Sequence, residues 1–395
     1  MIKKTLSEVN VEGRKVLVRV DFNVSFEDGK IKDDTRIRYS LPTLQYLLER
    51  GAKVIILTHL GRPKGQVKEE LRLDPVAKRL SQLLEKPVHK IDVLTGEEAK
   101  NATDSLKEGE VLLLENVRFH PGEEKNDPTL AKEWSELGDL YVNDAFGTAH
   151  RAHASTEGIT HYLPGVAGLL MEKEIKTLQS CLQNPYRPLT VVMGGVKVSD
   201  KIGVIKRFLE TADRLLIGGG MANTFFAAQG YSMGASFYEE KRLEEARELL
   251  EAFSTSQAEV YLPRDVVVVQ ELEEDAPYQT VAVDAIPEGW MAVDIGSATV
   301  ELFGKVVRDS GMVVWNGPLG VFETSPFHRG TEGVAREAVE SQAYLLLGGG
   351  DSVAAFDELD LLDKVDYAST GGGATLEFWE GKELPGIAAL QGAGA

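Results

Sequence analysis

Residues 189–222 read LTVVMGGVKVSDKIGVIKRFLETADRLLIGGGMA, and the pattern of this stretch recurs along the chain. Two apolar runs, Leu189–Met193 and Arg214–Ile217, each end in glycines, and a helical pattern over Ser199–Thr211 separates them. Short runs of Val, Leu and Ile without polar alternation are typical of strands buried on both faces of a parallel sheet. The stretch therefore predicts a strand–turn–helix–strand unit of an α/β domain.

The same alternation extends in both directions. Helical patterns occupy Leu41–Arg50, Pro75–Leu84, Thr129–Leu137 and Lys241–Phe253. The further strand candidates are Lys15–Val20, Lys53–Thr58, Val111–Glu115, Leu140–Asn143, Val260–Leu262, Val266–Val269, Met291–Ile295, Met312–Trp315 and Tyr344–Leu347. One helix is predicted over Leu170–Leu182, and the two prolines of Gln183–Pro188 end it. We therefore predict two α/β halves, each a parallel sheet with helices on both faces, joined by a helix.

The composition is that of a globular protein, with 43% hydrophobic and 27% charged residues in a chain of 395. The formal net charge of −19 argues against a nucleic-acid partner, which requires a basic surface. Residues 185–395 carry −17 of this charge, whereas residues 1–184 are nearly neutral at −2. Basic groups that converge in the nearly neutral half can still hold an anion, because the local field in a cleft outweighs distant charge.

The sequence also predicts where the protein works. No run approaches the roughly 20 apolar residues of a membrane helix, and no apolar segment follows the two lysines of Met1–Asn10. We therefore expect a cytoplasmic protein without a secretory signal or a membrane partner. The lone Cys181 excludes an intramolecular disulfide and a multi-cysteine zinc site. His150 and His153 have no evident third ligand, so zinc is not expected.

Four glycine clusters follow apolar runs in the second half: Gly194–Gly195, Gly218–Gly220, Gly348–Gly350 and Gly371–Gly373. A strand, a glycine turn and a helix together present backbone N–H groups to phosphate. One such turn is explained by backbone conformation alone, but four in one half favour a phosphate-binding edge of one sheet. The GxxxxGK[ST] and GxGxxG patterns are missing, so a nucleotide would bind in another way.

Three charged residues accompany these turns. Lys197 and Lys201 are four apart, so on a helix they would share a face and repel each other unless an anion lay between them. Asp351 follows a glycine triplet, where it could cap a helix or hold Mg²⁺ together with phosphate groups. These two roles for Asp351 are compatible.

Basic residues follow or flank the strand ends of the first half; they are Arg36, His59, Arg62, Arg118 and Arg151, accompanied by Asp21 and Asn23. Arginine suits bidentate recognition of phosphate and carboxylate. A single surface arginine is ordinary, but several at neighbouring strand ends predict an anion pocket. The first half is thus predicted to bind a small anion and the second to bind phosphates. This combination indicates phosphoryl transfer in a site from which water is excluded.

Long motifs then identify a family. They are RVDFNV (19–24), DTRIR (34–38), THLGRPK (58–64), LENVRFH (114–120), NDAFGTAHRAHAS (143–155), GGVKVSDKI (194–202), VWNGPLGVFE (314–323), GGGDSV (348–353) and STGGGATL (369–376). In this order, over essentially the whole chain, they resemble phosphoglycerate kinase. The resemblance implies reversible phosphoryl transfer between 1,3-bisphosphoglycerate and ADP, giving 3-phosphoglycerate and ATP, in glycolysis and gluconeogenesis. It also implies ATP/ADP and Mg²⁺ as cofactors and a monomer.

The resemblance implies two Rossmann-like domains and a helical hinge. Residues 1–170 would form the N-terminal domain, which binds 3-phosphoglycerate, and residues 171–188 the hinge helix and linker. Residues 189–375 would form the C-terminal nucleotide-binding domain. Residues 376–395 would return to the N-terminal domain.

The resemblance also assigns roles position by position. The 3-phosphoglycerate ligands would be Asp21, Asn23, Arg36, His59, Leu60, Gly61, Arg62, Arg118 and Arg151. The nucleotide ligands would be Gly195, Lys201, Gly219, Asn316, Glu323, Gly350, Asp351, Ser352 and Val353, with Asp351 also meeting the metal. The groups that stabilise the phosphoryl group in flight would be Arg36, Lys197, Gly371 and Gly372, with the amide of Gly373.

The chain departs from the family pattern at Val196, Ala292, Ser297, Asp366-Tyr367 and Thr375, and none of these removes a proposed catalytic group. Two other functions remain open from the residues. A non-catalytic nucleotide-binding protein would not need Lys197, Lys201 and Arg36 together. A kinase for a small carboxylate such as acetate would need fewer basic groups than this chain has.

Overall fold

A computed structural model describes residues 3–392, and residues 1, 2 and 393–395 of the predicted terminal segments lie outside them. The chain forms two compact units. Unit 1 contains the residues up to Lys176 and those from Glu383 onward, and unit 2 contains Thr177–Lys382. The chain passes from unit 1 to unit 2 within one helix, Leu169–Gln183, which matches the helix predicted between the halves.

Unit 1 is built on a six-stranded parallel sheet with the order β5-β6-β4-β1-β7-β8. The strands of unit 1 are β1 (Lys15–Arg19), β2 (Phe26–Glu27), β3 (Lys30–Ile31), β4 (Lys53–Leu57), β5 (Val88–Lys90), β6 (Val111–Leu113), β7 (Leu140–Asn143) and β8 (Gly165–Ala167). Of these, β2 and β3 form a separate, short antiparallel pair. Its helices are α1 (Thr35–Glu49), α2 (Asp74–Leu84), α3 (Gly96–Ser105), α4 (Pro128–Ser135) and the start of α5 (Leu169–Gln183).

The core of unit 1 lies between this sheet and the apolar faces of α1 and α2. Val18 and Ile56 from the sheet join one buried cluster with Leu44, Leu47 and Leu80 from the helices. Helix α1 begins earlier than the predicted Leu41, because Pro42 is accommodated inside it. Arg36 consequently lies in the first turn of a helix, close to the strand ends.

Unit 2 contains a second six-stranded parallel sheet, ordered β11-β10-β9-β15-β16-β17, and a three-stranded antiparallel sheet, ordered β13-β12-β14. The strands are β9 (Leu189–Met193), β10 (Arg214–Ile217), β11 (Glu259–Tyr261), β12 (Asp265–Val269), β13 (Tyr278–Ala282), β14 (Met291–Ile295), β15 (Met312–Asn316), β16 (Tyr344–Leu347) and β17 (Tyr367–Ala368). The helices that follow α5 are α6 (Ile202–Thr211), α7 (Gly220–Ala228), α8 (Leu243–Thr255), α9 (Ser297–Arg308), α10 (Arg329–Glu340), α11 (Gly350–Glu358), α12 (Gly373–Trp379) and, in unit 1, α13 (Pro385–Ala388).

The antiparallel sheet differs from the sequence prediction. The runs in β12 and β14 are apolar, as in a parallel strand, but they pair antiparallel with each other. Strand β13, which pairs with β12, is largely exposed and has no apolar run, so hydrophobic patterning did not reveal it. Apolar runs show that a strand is buried, but its direction depends on the partner beside it.

The C-terminal boundary of unit 2 falls at Lys382, later than the predicted 375. The reason is the packing of α12, whose Trp379 is fully buried and lies edge-on to Phe208 of α6 at 5.8 Å. Beyond this helix the chain pairs with unit 1, where Gln391 donates its N–H to the carbonyl of Gly165 at 3.0 Å. Lys3 binds the same segment through the carbonyls of Ala388 and Leu390.

Candidate active site

The predicted anion-binding residues of unit 1 lie along one edge of its sheet. Strands β6, β4, β1 and β7 are neighbours and run parallel, so their carboxyl ends meet there. The residues that follow these ends are Asp21 and Asn23 after β1, His59 to Arg62 after β4, Arg118 after β6 and Arg151 after β7. This edge is where open α/β sheets bind their ligands.

Asp21 and Asn23 organise the centre of this edge. Asp21 Oδ2 accepts from Arg36 Nη1 at 2.7 Å, which holds the exposed guanidinium over the loop after β1. Asn23 Oδ1 accepts the N–H of Gly61 at 2.8 Å and so joins this loop to the loop after β4. Both side chains are therefore already engaged in positioning neighbours.

The loop after β4 is held from its other side by Arg118 and Asn116. Arg118 is buried, and its Nη1 donates to the carbonyl of Gly61 at 2.8 Å. Asn116 bonds both the N–H and the carbonyl of Leu60, at 3.2 and 2.8 Å. Arg62 is exposed at the end of this loop, so its guanidinium is accessible to a ligand.

Arg151 is also exposed, and its Nε donates to His150 Nε2 at 3.2 Å. Arg62 and Arg151 are exposed, as Arg36 is, and they differ in this from Arg118, which is buried. The arginines that could make new contacts with a ligand are thus distinct from the one that supports the backbone.

Arg19, the last residue of β1, is a functional candidate that the sequence analysis did not single out. It is fully buried, its Nε donates to Ser155 Oγ at 2.8 Å, and its Nη2 lies 3.2 Å from His59 Nδ1. Ser155 in turn donates its N–H and its hydroxyl to Glu123, which is also fully buried. The signal available in the sequence was a charged residue at the end of a buried strand, because a buried charge requires partners.

This edge of unit 1 holds an excess of positive charge. Burial and the nearby Arg19, Arg118 and Arg36 lower the pKa of His59 well below its usual value. Burial and the same kind of cationic surroundings lower the pKa of His153 to about 3. Burial, followed by repulsion from Arg19, also lowers the pKa of Arg118. Cations that oppose one another in this way would be stabilised by a bound anion.

The glycine clusters of unit 2 lie along the corresponding edge of its parallel sheet. The sheet places β10, β9, β15, β16 and β17 side by side, and the four clusters follow β10, β9, β16 and β17. The turns also contact each other, since Met221 donates its N–H to Gly195 O at 3.0 Å. Gly219 has φ 67°, and a Cβ there would lie 2.7 Å from Gly195 O, so no larger residue fits. The predicted single edge of glycine turns is therefore present.

Lys201 lies underneath these turns. It is 9% exposed, and its Nζ donates to the carbonyls of Gly194 and, at 3.1 Å, Asn316. Burial lowers the pKa of Lys201 to about 8, although the carboxylates of Asp351 and Asp200 oppose this shift. The carbonyls that accept hydrogen bonds from this buried ammonium are neutral, so its positive charge remains available to a phosphate ligand.

The spacing of Lys197 and Lys201 suggested that they share one face of a helix, but in the structure they do not. Helix α6 begins only at Ile202, and the two lysines lie in the irregular segment before it. Lys197 is exposed whereas Lys201 is buried. The glycines and the turn before α6 break the helical period on which the spacing argument depended.

Asn316 and Ser352 are buried beneath the glycine turn after β16. Asn316 Nδ2 donates to Gly348 O at 2.5 Å, and Ser352 Oγ accepts the N–H of Gly317 at 2.6 Å. Ser352 also donates to Gly348 O at 2.9 Å. In this structure both side chains bind backbone and hold the turn, while Gly350 at the helix start is exposed and Val353 is half-buried.

A cavity of about 440 Å³ opens beside these turns. Of the predicted nucleotide ligands, Gly195, Gly219, Glu323 and Asp351 line it. The rest of its wall is largely apolar and includes Phe237, Leu272, Met291, Ala292 and Pro318. Ala292, one of the departures from the family pattern, therefore borders the cavity, whereas Ser297 lines a separate one of about 290 Å³. An apolar slot with glycine turns and the starts of the helices that follow them at one side has the chemistry that a nucleotide site requires.

Asp351 is not a helix cap. The N-cap of α11 is Gly349, and Asp351 is an exposed residue of the first helical turn. An accessible carboxylate beside these glycine turns fits Mg²⁺, which takes one or two carboxylates together with substrate phosphates. A group of three close carboxylates among residues 3–392, Asp74, Asp92 and Glu115 of unit 1, already pairs with Lys90 Nζ.

The last glycine turn precedes α12. The N–H of Gly371 donates to Ser369 Oγ at 3.2 Å, and this hydroxyl pairs with Thr375 Oγ1 at 2.7 Å. Gly372 has φ 52°, which favours glycine, and α12 begins at Gly373. Of the predicted amides, that of Gly371 therefore already has a side-chain partner, and Thr375 helps to hold it.

The chain is similar over nearly its whole length to known proteins of one family. Residues 6–382 match the protein family described as phosphoglycerate kinase. A phosphoglycerate kinase of Moorella thermoacetica is 55% identical over 390 residues, which is 99% of each chain. Among solved structures, phosphoglycerate kinase from Coxiella burnetii has 42% identity and a TM-score of 0.89, and that from Pyrococcus horikoshii OT3 has 35% and 0.85. Each alignment covers 98% of both chains.

Proposed function

The chain belongs to the phosphoglycerate kinase family, and we propose that its two units divide the two substrates of that reaction between them. It is a phosphotransferase whose acceptor is a carboxyl group. The reaction is the reversible, Mg²⁺-dependent transfer of a phosphoryl group between 1,3-bisphosphoglycerate and ADP, which gives 3-phosphoglycerate and ATP in glycolysis. In our proposal unit 1 binds the phosphoglycerate, unit 2 binds the nucleotide, and residues 171–188 serve as the hinge.

The observation that carries this proposal is the crowding of cationic groups at the strand ends of unit 1. 3-Phosphoglycerate has a phosphate and a carboxylate, and two anionic groups require several basic partners. Arg62 and Arg151 are exposed and free to form charge-assisted hydrogen bonds with such a ligand. Asp21, Asn23 and Arg118 support the loops that present them, and Leu60 and Gly61 contribute the backbone between these loops.

His59 acts in this proposal as a neutral hydrogen-bond donor. Arg19 can only donate, so the short contact with Arg19 Nη2 makes Nδ1 of His59 an acceptor and leaves the proton on Nε2. The lowered pKa of His59 is consistent with a neutral ring. A neutral donor recognises a substrate oxygen without adding to the repulsion among the arginines.

The nucleotide occupies the cavity of unit 2. Its base and ribose lie along the apolar wall, where Glu323 is placed to accept the ribose hydroxyls. Its phosphates lie against the turns of Gly195, Gly219 and Gly350 to Val353, above the buried Lys201. Asn316 and Ser352 support the turns from below.

Transfer itself needs little covalent chemistry from the protein. In phosphoryl transfer the enzyme positions the two reactants and stabilises the charge on the moving group. We assign this stabilisation to the guanidinium of Arg36, the ammonium of Lys197 and the amides of Gly371 and Gly372. Arg36 and Lys197 are exposed, so each can reach a ligand, and Asp21 already orients Arg36.

Asp351 is the residue that would hold Mg²⁺ together with the nucleotide phosphates. When bound, the ion neutralises charge on the phosphate oxygens. Lys201 carries out the same task from below the turns, where its ammonium is near enough to Asp351 for that carboxylate to raise its pKa against the effect of burial.

We also propose that the protein works in the cytoplasm as a monomer, without nucleic-acid or membrane partners. Its acidic charge supports the first exclusion. Among residues 3–392, no helix has the length and apolar character needed to cross a membrane.

A coupled assay tests the proposal. The enzyme is given MgATP with 3-phosphoglycerate, with acetate or with no acceptor, and formation of ADP is followed. We expect turnover with 3-phosphoglycerate alone. Turnover with acetate would indicate a different acyl-phosphate kinase, and ATP binding without turnover would indicate a non-catalytic protein.

A further inference from the structure

A glutamate outside the proposed ligand set is bound to the segment that carries Lys197. Glu239 lies just before α8, 40 residues beyond Ser199. Its Oε2 accepts the backbone N–H of Ser199 at 2.9 Å, and its Oε1 accepts the hydroxyl of the same serine at 2.6 Å. Two hydrogen bonds to one carboxylate define a geometry rather than only an attraction.

Glu239 is itself fixed to the helix that follows a phosphate-binding turn. Its backbone N–H donates to Thr224 Oγ1 at 3.1 Å, and Asn223 Nδ2 donates to the carbonyl of Phe237 at 3.1 Å. Thr224 and Asn223 are buried residues of α7, which begins directly after Gly219. The carboxylate therefore connects two loops of the nucleotide site through a rigid element.

The segment between Gly195 and Lys201 has few other supports. Gly195 is tied to Met221, Val198 is fully buried, and Lys201 is anchored through its own side chain. Lys197 stands exposed between Val198 and a half-exposed neighbour, Val196, whose relative exposure is 59%. The position of its backbone thus depends on the anchoring of Val198 and Ser199.

We propose that Glu239 is a positioning residue for Lys197, holding the loop so that the ammonium reaches the phosphoryl group during transfer. The inference rests on the proposed role of Lys197. A flexible lysine on a loose loop would have to be ordered in each turnover, and a displacement of about 1 Å can cost on the order of 100-fold in rate. Lys201 has independent anchors, so nucleotide binding should depend on Glu239 much less than turnover does.

The test compares three variants. Glu239→Ala should lower kcat about tenfold or more, with ATP affinity changed less than about threefold. Glu239→Gln should recover most of the rate, because its amide can accept the Ser199 N–H and donate to the hydroxyl. Glu240→Ala is the matched control, since Glu240 is the exposed next residue, and its kcat should stay within about threefold of the wild type.

A double-mutant cycle with Lys197→Ala separates positioning from general support. If Glu239 acts through Lys197, the double variant should be no slower than Lys197→Ala alone. The inference would be overturned if the double variant were slower than Lys197→Ala by the factor that Glu239→Ala causes alone. It would also be overturned if Glu239→Ala lowered ATP affinity and kcat equally, or if its kcat matched that of the Glu240→Ala control. If kcat is low in Lys197→Ala but normal in Glu239→Ala, only this inference is refuted. If kcat is normal in Lys197→Ala, the proposed role of the lysine is refuted and the inference with it.

A milder variant covers a failure of Glu239→Ala to fold. Ser199→Ala removes the hydroxyl hydrogen bond and leaves the one from the backbone N–H. We expect it to lower kcat several-fold without changing ATP affinity. Wild-type kcat in Ser199→Ala would then count against the inference.

Discussion

Arg19 and His59 form a buried pair in which Nη2 of the arginine lies 3.2 Å from Nδ1 of the histidine. Since a guanidinium has no acceptor, the contact specifies the tautomer of the ring. The arginine is oriented in turn by Ser155, and the serine by Glu123. A chain of buried side chains thus determines which nitrogen of His59 carries the proton.

This pair gives the first prediction. His59 should be neutral, with its proton on Nε2, down to pH values well below 6.5. The reason is that burial lowers its pKa, and repulsion from the neighbouring cations lowers it further; these are Arg19, Arg118, Arg36 and His153. The carboxylate of Asp21, 3.9 Å from Nδ1, does not reverse this shift. Nitrogen-15 spectra of histidine-labelled protein at pH 6 report the tautomer directly. In Arg19→Lys, which cannot bridge Ser155 and His59, the KM for 3-phosphoglycerate should rise about tenfold with little change for ATP. A charged ring in the wild type at pH 6 would contradict this assignment.

The second prediction concerns Arg62. Arg62→Ala should weaken binding of 3-phosphoglycerate by roughly 1.5–3 kcal/mol, the typical loss of a charged hydrogen-bond partner. ATP binding should be unchanged, because Arg62 belongs to unit 1. Titration calorimetry with each ligand measures both, and Arg50→Ala, which changes the exposed arginine that caps the C-terminus of α1, is the control. Equal losses of the two affinities would show that Arg62 is structural.

The third prediction concerns Asp351 and the metal. Asp351→Asn should raise the Mg²⁺ concentration needed for half-maximal rate, since it removes an exposed carboxylate that borders the cavity at the start of α11. Asp357→Asn changes another exposed aspartate of the same helix and should leave the requirement unaltered. A Mg²⁺ titration of the rate at saturating ATP distinguishes them. The same Mg²⁺ requirement in both variants would rule out the metal role.

The fourth prediction separates the two lysines. Lys197→Ala should lower kcat about 100- to 1,000-fold while ATP affinity stays nearly intact, because a contact made mainly in the transition state does not affect ground-state binding. The exposure of Lys197 supports this role, as the side chain is free to move with the phosphoryl group. Steady-state kinetics and a separate ATP titration measure the two effects. Near-normal kcat would refute it.

The fifth prediction follows from the buried position of Lys201. Its pKa of about 8 means that the free enzyme loses this positive charge as the pH rises through 8. ATP affinity should therefore fall between pH 7.5 and about 9.5, since binding then requires uptake of a proton. Calorimetry across this range should show a flat profile in Lys201→Ala and a wild-type slope in Lys206→Ala, an exposed lysine of α6. An unchanged slope in Lys201→Ala would assign the titration to another group.

Local patterns in the sequence determined the architecture. Apolar runs predicted β1, β4, β6 and β7 of one parallel sheet and β9, β10, β11, β15 and β16 of the other, because a strand buried on both faces has no polar side. They did not predict the short edge strands β5, β8 and β17. Glycines between strands and helices predicted the turns at the edge of unit 2, because those turns need backbone conformations that few other residues adopt, as at Gly219 with φ 67°. The motifs at Asp21, His59 and Arg118 predicted the edge of unit 1, because each of these residues lies within five positions of the end of its strand.

Only the tertiary structure decided which side chains meet. Arg19 pairs with His59 forty residues later, and Glu239 binds Ser199 forty residues earlier, so no local spacing reveals either contact. The separation of exposed Lys197 from buried Lys201, and the antiparallel pairing of β12 with β13 and β14, were likewise hidden. A pattern along the chain reports burial and turn geometry, whereas the partner of a buried charge, its pKa and the direction of a neighbouring strand depend on packing between distant segments.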